Sequence, residues 1–339
     1  MPPITRKLRA GLHSRRLEME ARKLDPAPFI VGHGRSGTTL LRLMLDAHPE
    51  LAIPPETQFI PQLIDASKRP GSPADNVIEE LVNHRRFGDF GFTAEEIREN
   101  FGKIEPFDMT AALRYFYRTY AERQGKRRWG DKSPGYGWTM HRVDRVVPEA
   151  YFIHLIRDGR DVTLSLLAKQ DFSPGPARQA RHWKTRVNKT RRLGGEVRHY
   201  MELRYEDLLT EPETQLRRVC DFIKLDFDDA MLRYYERAEE RMSEIKRDMD
   251  PGTELTANRS RGVLKAERRL AVHELTKEPP RTDRIGVWKT EMEPEDLATF
   301  ERIAGPLLTD LGYELGSDQP AASEARFEQP AASKPGATE

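Results

Sequence analysis

Pro28-Phe29-Ile30-Val31-Gly32-His33-Gly34-Arg35-Ser36-Gly37-Thr38-Thr39, running on into Leu40-Leu41-Arg42-Leu43-Met44-Leu45, is the stretch that decides the fold. It reads as a short apolar strand, a glycine-rich turn and an apolar helix. In that arrangement the backbone N–H groups of the turn and of the helix start point at an anion, and the helix dipole favours negative charge there. The glycines let the backbone curl and approach a ligand closely. Gly32 and Gly37 keep the four-residue gap of a P-loop, but Thr38 and Thr39 stand where that motif has Lys followed by Ser or Thr. The cation sits inside the loop instead, at Arg35. Such a cradle suits one phosphate and its attached group better than a magnesium-bound triphosphate.

Working outward, Leu51-Ala52-Ile53 predicts a second strand ended by Pro54-Pro55, and Tyr151 to Ile156 predicts a buried strand followed by a helix from Asp161. His199 to Leu203 predicts another strand. Residues 60–128 are charged, helix-like segments broken by Pro70-Gly71-Ser72-Pro73 and by Gly88 to Gly91, and read as a helical insertion. Thr210-Glu211-Pro212-Glu213 matches a capping box, and the helix behind it carries Leu216, Val219, Cys220 and Ile223 on one face. Pro294 opens a last helix with Leu297, Phe300, Ile303, Leu307 and Leu311 inward and a bend expected at Gly305-Pro306. Strands alternating with helices predict an α/β fold: a P-loop-like, mostly parallel sheet with helices on both faces. The domain reading is a basic arm over 1–25, one domain over 26–315 and a disordered tail over 316–339.

Composition narrows the function classes. The 339 residues carry a net charge of +1, so no nucleic acid or other bulk polyanion is implied as a partner. Charged residues make up 33% and mean hydropathy is -0.73, with no run approaching a transmembrane segment. Cys220 is the single cysteine, which excludes an internal disulfide framework and a cysteine-based zinc site. Met1 to Arg22 is basic and lacks an apolar signal-peptide core, so the expected compartment is the cytoplasm. The sequence leaves the oligomeric state open.

In parallel sheets, ligands gather at the carboxyl ends of the strands. That rule places Arg35, Glu56, Lys132, Arg157 and Tyr205 on one rim, each following a predicted strand. Arg157-Asp158-Gly159-Arg160-Asp161-Val162-Thr163-Leu164-Ser165 is the second strong signal, because a cation at the strand end and a serine two helical turns later can close on one phosphate.

Gly34-Arg35-Ser36-Gly37-Thr38-Thr39-Leu40 with the downstream Arg157 to Ser165 segment resembles the sulfotransferases that use 3'-phosphoadenosine 5'-phosphosulfate (PAPS). Glu56, Asp131-Lys132-Ser133-Pro134, Tyr205-Glu206-Asp207-Leu208 and Arg284-Ile285-Gly286-Val287-Trp288-Lys289 extend the resemblance over about residues 28–312. The closest likeness is to the tyrosylprotein and bacterial branch; the cytosolic hormone- and phenol-sulfating branch usually has lysine where Arg35 stands.

The resemblance implies sulfuryl transfer from PAPS to an acceptor hydroxyl or amine, with 3'-phosphoadenosine 5'-phosphate (PAP) as product and no metal. It implies Glu56 as base, with His33 as the rival, and Arg35 and Lys132 on the developing charge. Gly34, Arg35, Ser36, Gly37, Thr38 and Thr39 would hold the 5'-phosphate, Arg157 and Ser165 the 3'-phosphate, and Tyr205 the adenosine side. Arg284, Gly286, Trp288 and Lys289 would clasp the far side of the nucleotide. A small-molecule, lipid-linked or saccharide acceptor is expected. The competing readings are a P-loop kinase or NTPase, which the missing lysine opposes, and a non-catalytic PAP-binding module.

Overall fold

The computed structural model describes residues 24–168, 175–243 and 277–316. The arm before residue 24, the charged stretch 244–276 and the tail after 316 lie outside the described residues. The first strand, β1 (Ala27–Gly32), is buried along its whole length. It runs through the cradle loop into α1 (Thr38–Asp46), then to the short β2 (Leu51–Ala52).

The expected insertion follows as α2 (Ile60–Ala66), α3 (Pro73–Val82), α4 (Ala94–Gly102) and α5 (Met109–Arg123). Their starts are written locally. Ser72 accepts from Asp75 N–H, Thr93 and Glu96 form a capping box, and Asp108 accepts from Ala111 N–H.

The chain returns as β3 (Arg128–Trp129) and β4 (Asp131–Lys132), a 3-10 turn over Pro134–Trp138, α6 (Met140–Val146) and β5 (Ala150–Ile156). Next come α7 (Gly159–Leu167), α8 (Pro176–Gly194), β6 (Tyr200–Arg204), α9 (Tyr205–Thr210), α10 (Pro212–Ile223) and α11 (Tyr235–Met242). A 3-10 turn over Thr282–Arg284, α12 (Trp288–Glu291) and α13 (Pro294–Asp310) close the described chain.

The main sheet has the order β4-β1-β5-β6, and β2 pairs with β3 beside it; every pairing is parallel. Gly130 divides one run of chain into β3 and β4, and a side chain there would lie 2.7 Å from the Pro28 carbonyl oxygen. Lys132 is therefore inside a strand of the main sheet rather than in a loop beyond one, a correction to the sequence-based placement.

Side chains along β1 alternate between two cores, as strand periodicity requires. Phe29 and Val31 pack with α2 to α5, while Ile30 packs with the apolar residues of α1 and α10 on the opposite face. Phe152 and Ile153 of β5 repeat the alternation. Cys220 is buried in the second core with Leu216, Val219 and Ile223. A third cluster joins α7, α8 and α13 through Trp183, Phe300 and Leu308.

The capping box expected at Thr210 does not form. Thr210 is the last residue of α9, its hydroxyl donating back to the carbonyls of Glu206 and Asp207, and Glu211 takes the cap position of α10 without a side-chain bond. A helix ending one residue earlier claims the hydroxyl that the motif would have used. The last helix runs through Pro306 as one element.

Candidate active site

The carboxyl ends of β1, β4, β5 and β6 open onto a cleft of about 370 Å³ whose lining includes Arg35, Thr39, Glu56, Arg157, Ser165 and Tyr205. It lies where the connections from β1 and β5 leave the sheet, the usual ligand position in such folds. The cradle supplies one wall. Gly37 caps α1 with φ +84 and no side-chain bond, leaving the first amides of the helix open. A Cβ on Gly37 would come 2.4 Å from the Tyr205 ring, so conformation and space both demand glycine there. Arg35 is also left-handed, φ 72, an uncommon conformation for a residue with a side chain. It donates from Nε to Ser165 Oγ at 3.0 Å, and Arg157 donates to its carbonyl at 3.2 Å. Ser36 Oγ is buried in the cradle and has no hydrogen-bond partner among the described residues.

Arg157 ties the second wall together. It donates to the Arg284 carbonyl at 2.9 Å, lies over the Tyr205 ring at 4.7 Å, and stands 3.8 Å from Asp161. Asp161 accepts the backbone amides of Gly286 and Trp288, each at 2.9 Å. Burial, together with the nearby Arg157 guanidinium, pulls the Arg35 pKa down from its ordinary value.

At the other end, Lys132 Nζ bridges the cradle to Glu56. It donates to Thr39 Oγ1 at 3.2 Å and to Glu56 Oε1 at 2.8 Å. Arg86 NH2 donates to Glu56 Oε2 at 3.0 Å, and Gln58 Nε2 donates to the same oxygen. Burial lowers the Lys132 pKa, and the Glu56 carboxylate works against that.

His33 is turned elsewhere. Its Nδ1 bonds the Gly34 carbonyl at 2.7 Å and its Nε2 meets His182 Nδ1 at 3.2 Å. Arg186 Nε donates to His182 Nε2, which leaves His182 donating to His33 and His33 donating to Gly34. Burial pushes the His33 pKa down to about 4.

The Sulfotransferase family profile matches residues 26–229, and a Sulfotransferase domain profile matches 183–312. The chain belongs to the sulfotransferase family. Protein-tyrosine sulfotransferase A of Caenorhabditis elegans is 24% identical over 309 residues, 88% of this chain and 70% of that protein. Nodulation protein NoeE of Sinorhizobium fredii is 27% identical over 324 residues, 87% of this chain and 68% of that protein. Among solved structures, the sulfotransferase domain of the Synechococcus PCC 7002 olefin synthase superposes with a TM-score of 0.53 at 24% identity, covering 83% of this chain and 94% of that one. It has the same α/β fold.

The sulfotransferase's expected site residues divide into two groups. Gly34, Arg35, Gly37, Thr38, Thr39, Glu56, Arg157, Ser165, Tyr205 and Arg284 face the cleft, and Lys132 reaches it through Thr39 and Glu56. Trp288 stands behind the wall, buried with its ring 3.4 Å from the Arg160 guanidinium. Gly286 is engaged through its amide by Asp161, and exposed Lys289 pairs with Glu314 at 3.3 Å. Trp183 packs in the third core, its indole N–H on the Arg157 carbonyl. Buried His154 bonds Tyr200 Oη, and burial holds its pKa near 3.

Sequence reasoning missed Arg86, which reaches Glu56 from the insertion 30 residues later and carries no local signal. It also missed Asp161 as the anchor of the 286–288 turn, although the segment that contains it was conspicuous. Among the described residues no group of three or more His, Cys, Asp or Glu side chains could hold a metal ion, and no helix is long and apolar enough to cross a membrane.

Proposed function

We propose that this sulfotransferase moves the sulfuryl group of PAPS to an acceptor hydroxyl or amine on a small-molecule, lipid-linked or saccharide substrate. The observation that carries the reading is the Lys132 bridge: one ammonium touches both Thr39 of the anion cradle and the Glu56 carboxylate. A donor phosphate and an acceptor proton are thereby brought to opposite sides of one cation. The cradle suits the donor's 5'-phosphosulfate, with the open amides of α1, the hydroxyls of Thr38 and Thr39 and the buried Ser36 hydroxyl at hand. Arg157, Ser165 and Arg284 are grouped where a separate 3'-phosphate would lie, and Tyr205 covers the side between the two.

In the reaction the acceptor oxygen forms a bond to sulfur as the bond from sulfur to the bridging phosphate oxygen breaks. The electron pair stays on PAP, and the acceptor proton goes to Glu56. Arg35 and Lys132 neutralise the charge that grows on the bridging oxygen. Donor binding also draws Lys132 toward the phosphosulfate, which weakens its hold on Glu56 and strengthens that carboxylate as a base.

Calorimetric titration with PAP, with ATP plus magnesium in parallel, tests the donor. The expected outcome is PAP binding without magnesium and little response to ATP. Binding of magnesium–ATP with no response to PAP would overturn the reading in favour of a kinase or NTPase.

A further inference from the structure

Behind Glu56 and Lys132 lies a buried polar cluster that takes no part in the chemistry described above. Its centre is Asp131, fully buried in β4 beside Lys132. Thr57 Oγ1 donates to Asp131 Oδ2 at 2.6 Å, and Tyr117 Oη donates to the same oxygen at 2.8 Å. Tyr136 Oη lies 2.8 Å from Thr57 Oγ1 and accepts the Ile60 amide. Ser133 Oγ accepts the amides of Thr57 and Gln58 at 3.1 and 3.2 Å. Gln58 is held in the left-handed region, φ 57, which costs energy that these bonds must offset.

The pleat of β4 gives the cluster its meaning. Asp131 and Ser133 project to one side of the strand and Lys132 to the other. The 56–58 segment wraps the strand end, so that Glu56 meets Lys132 on one face while Thr57 and Gln58 are clipped on the opposite face. We propose that Asp131 and Ser133, acting through Thr57 and Gln58, are positioning residues that hold the Glu56 carboxylate against Lys132. The roles of Glu56 and Lys132 in this proposal rest on the sulfuryl-transfer reading, but the placement does not. Burying hydroxyls and a carboxylate is costly unless they are paired, and an apolar cluster would fill the same space without aiming the neighbouring carboxylate; Asp131 Oδ2 takes both hydroxyl bonds, while among the described residues its Oδ1 has no hydrogen-bond partner. Burial raises the Asp131 carboxyl to about 6, and the Thr57 and Tyr117 hydroxyls oppose that rise.

The test reads Lys132 itself. Glu56 raises the Lys132 pKa, whereas Arg42 and Arg86, which also face it, lower it. Competitive acetylation of Lys132 against pH, followed by mass spectrometry, reports whether Glu56 is still in place. Glu56→Gln sets the reference, and Thr57→Val removes the clip's hydroxyl with little change of volume. The expected result is that Thr57→Val folds, binds PAP much as the native protein does, and shows Lys132 acidified about tenfold or more, matching Glu56→Gln. Thr57→Ser should restore the native titration. A Thr57→Val protein that melts at lower temperature with the Lys132 titration unchanged overturns the proposal, since the cluster would then be structural only. Asp131→Asn is the stronger variant, and Thr57→Val with its serine rescue decides the matter if Asp131→Asn fails to fold. Failure of the native protein to bind PAP would sink the donor reading while leaving the Lys132 titration to judge the clip.

Discussion

The two ends of the cleft handle positive charge in different ways. At the Arg35–Arg157 end, the bonds of the guanidiniums include several to neutral oxygens: the Ser165 hydroxyl and the carbonyls of Arg35 and Arg284. Asp161, whose carboxylate stands 3.8 Å from Arg157, already accepts two backbone amides. At the Lys132–Arg86 end, both cations grip one carboxylate, Glu56. Hydrogen bonds to neutral oxygens are readily exchanged for bonds to a phosphate, which is a better acceptor for a cation. A carboxylate held by two cations is aimed, and its charge is already matched. One end presents cations bonded to neutral oxygens, and the other a carboxylate bonded by two cations.

The largest expected effect separates these ends most sharply. Glu56→Gln should lower turnover of PAPS to PAP by about 10²–10⁴-fold, the range for loss of a general base, with PAP affinity close to native. Turnover that persists moves the base elsewhere and breaks the comparison at the Glu56 end. Arg157→Ala should do the reverse. Losing a charge-assisted phosphate contact weakens PAP binding by about 1.5–3 kcal/mol, roughly 10- to 150-fold, and calorimetry reads it directly. Unchanged affinity would mean that the cationic end serves the protein and not a ligand.

Gly37→Ala forces an alanine to φ +84 and drives its Cβ into the Tyr205 ring, so a loss of about 1–3 kcal/mol in urea unfolding is expected, together with weaker PAP binding. A fully stable Gly37→Ala protein would show that the cradle is softer than its geometry implies.

The smallest effect is proton linkage. His33 at the cradle has its pKa depressed to about 4, so the folded state binds fewer protons than the unfolded state between pH 4 and 6.5. Its contribution is intact above pH 6.5 and falls by about 1.4 kcal/mol per pH unit as acid is added through that window. His154, depressed to about 3, acts in the same direction. Asp131, raised to about 6, works the opposite way between pH 3.8 and 6 and offsets one of them. Urea unfolding should therefore show lower stability at pH 5 than at pH 6.5. Asp131→Asn should make that slope steeper, and a slope that stays the same would refute the linkage assigned to this carboxyl.

The cradle was legible because its logic is local. Strand, glycines, paired threonines and apolar helix follow one another within eighteen residues, and the shape of the turn is set by its own glycines. The Arg157–Ser165 segment was legible for the same reason. The helical insertion was readable from its punctuation, and the packed stripe of α10 from its spacing. Thr210 shows the limit of local reading, since a good capping motif lost its hydroxyl to the helix before it. Trp288 shows another: a tryptophan in a conspicuous motif turned out to cover Arg160 from behind the cleft wall. Arg86 and the Thr57–Asp131 clip gave no readable sign, because each is a contact between segments 30 and 74 residues apart.

By itself, the sequence determined the parallel α/β architecture, the glycine-rich turn between the first strand and its helix, and the identity of the charged residues on the rim. Hydrophobic period, glycine conformations and helix-start chemistry act over a few residues and need no partner to be read. Only the tertiary structure decided which carboxylate meets Lys132, what holds it there, and that both ring nitrogens of His33 are spent on Gly34 and His182. Those outcomes depend on distances between side chains that folding brings together from separate strands and helices. They are fixed by the pleat of β4 and by the packing of the insertion against it, and no local pattern encodes either.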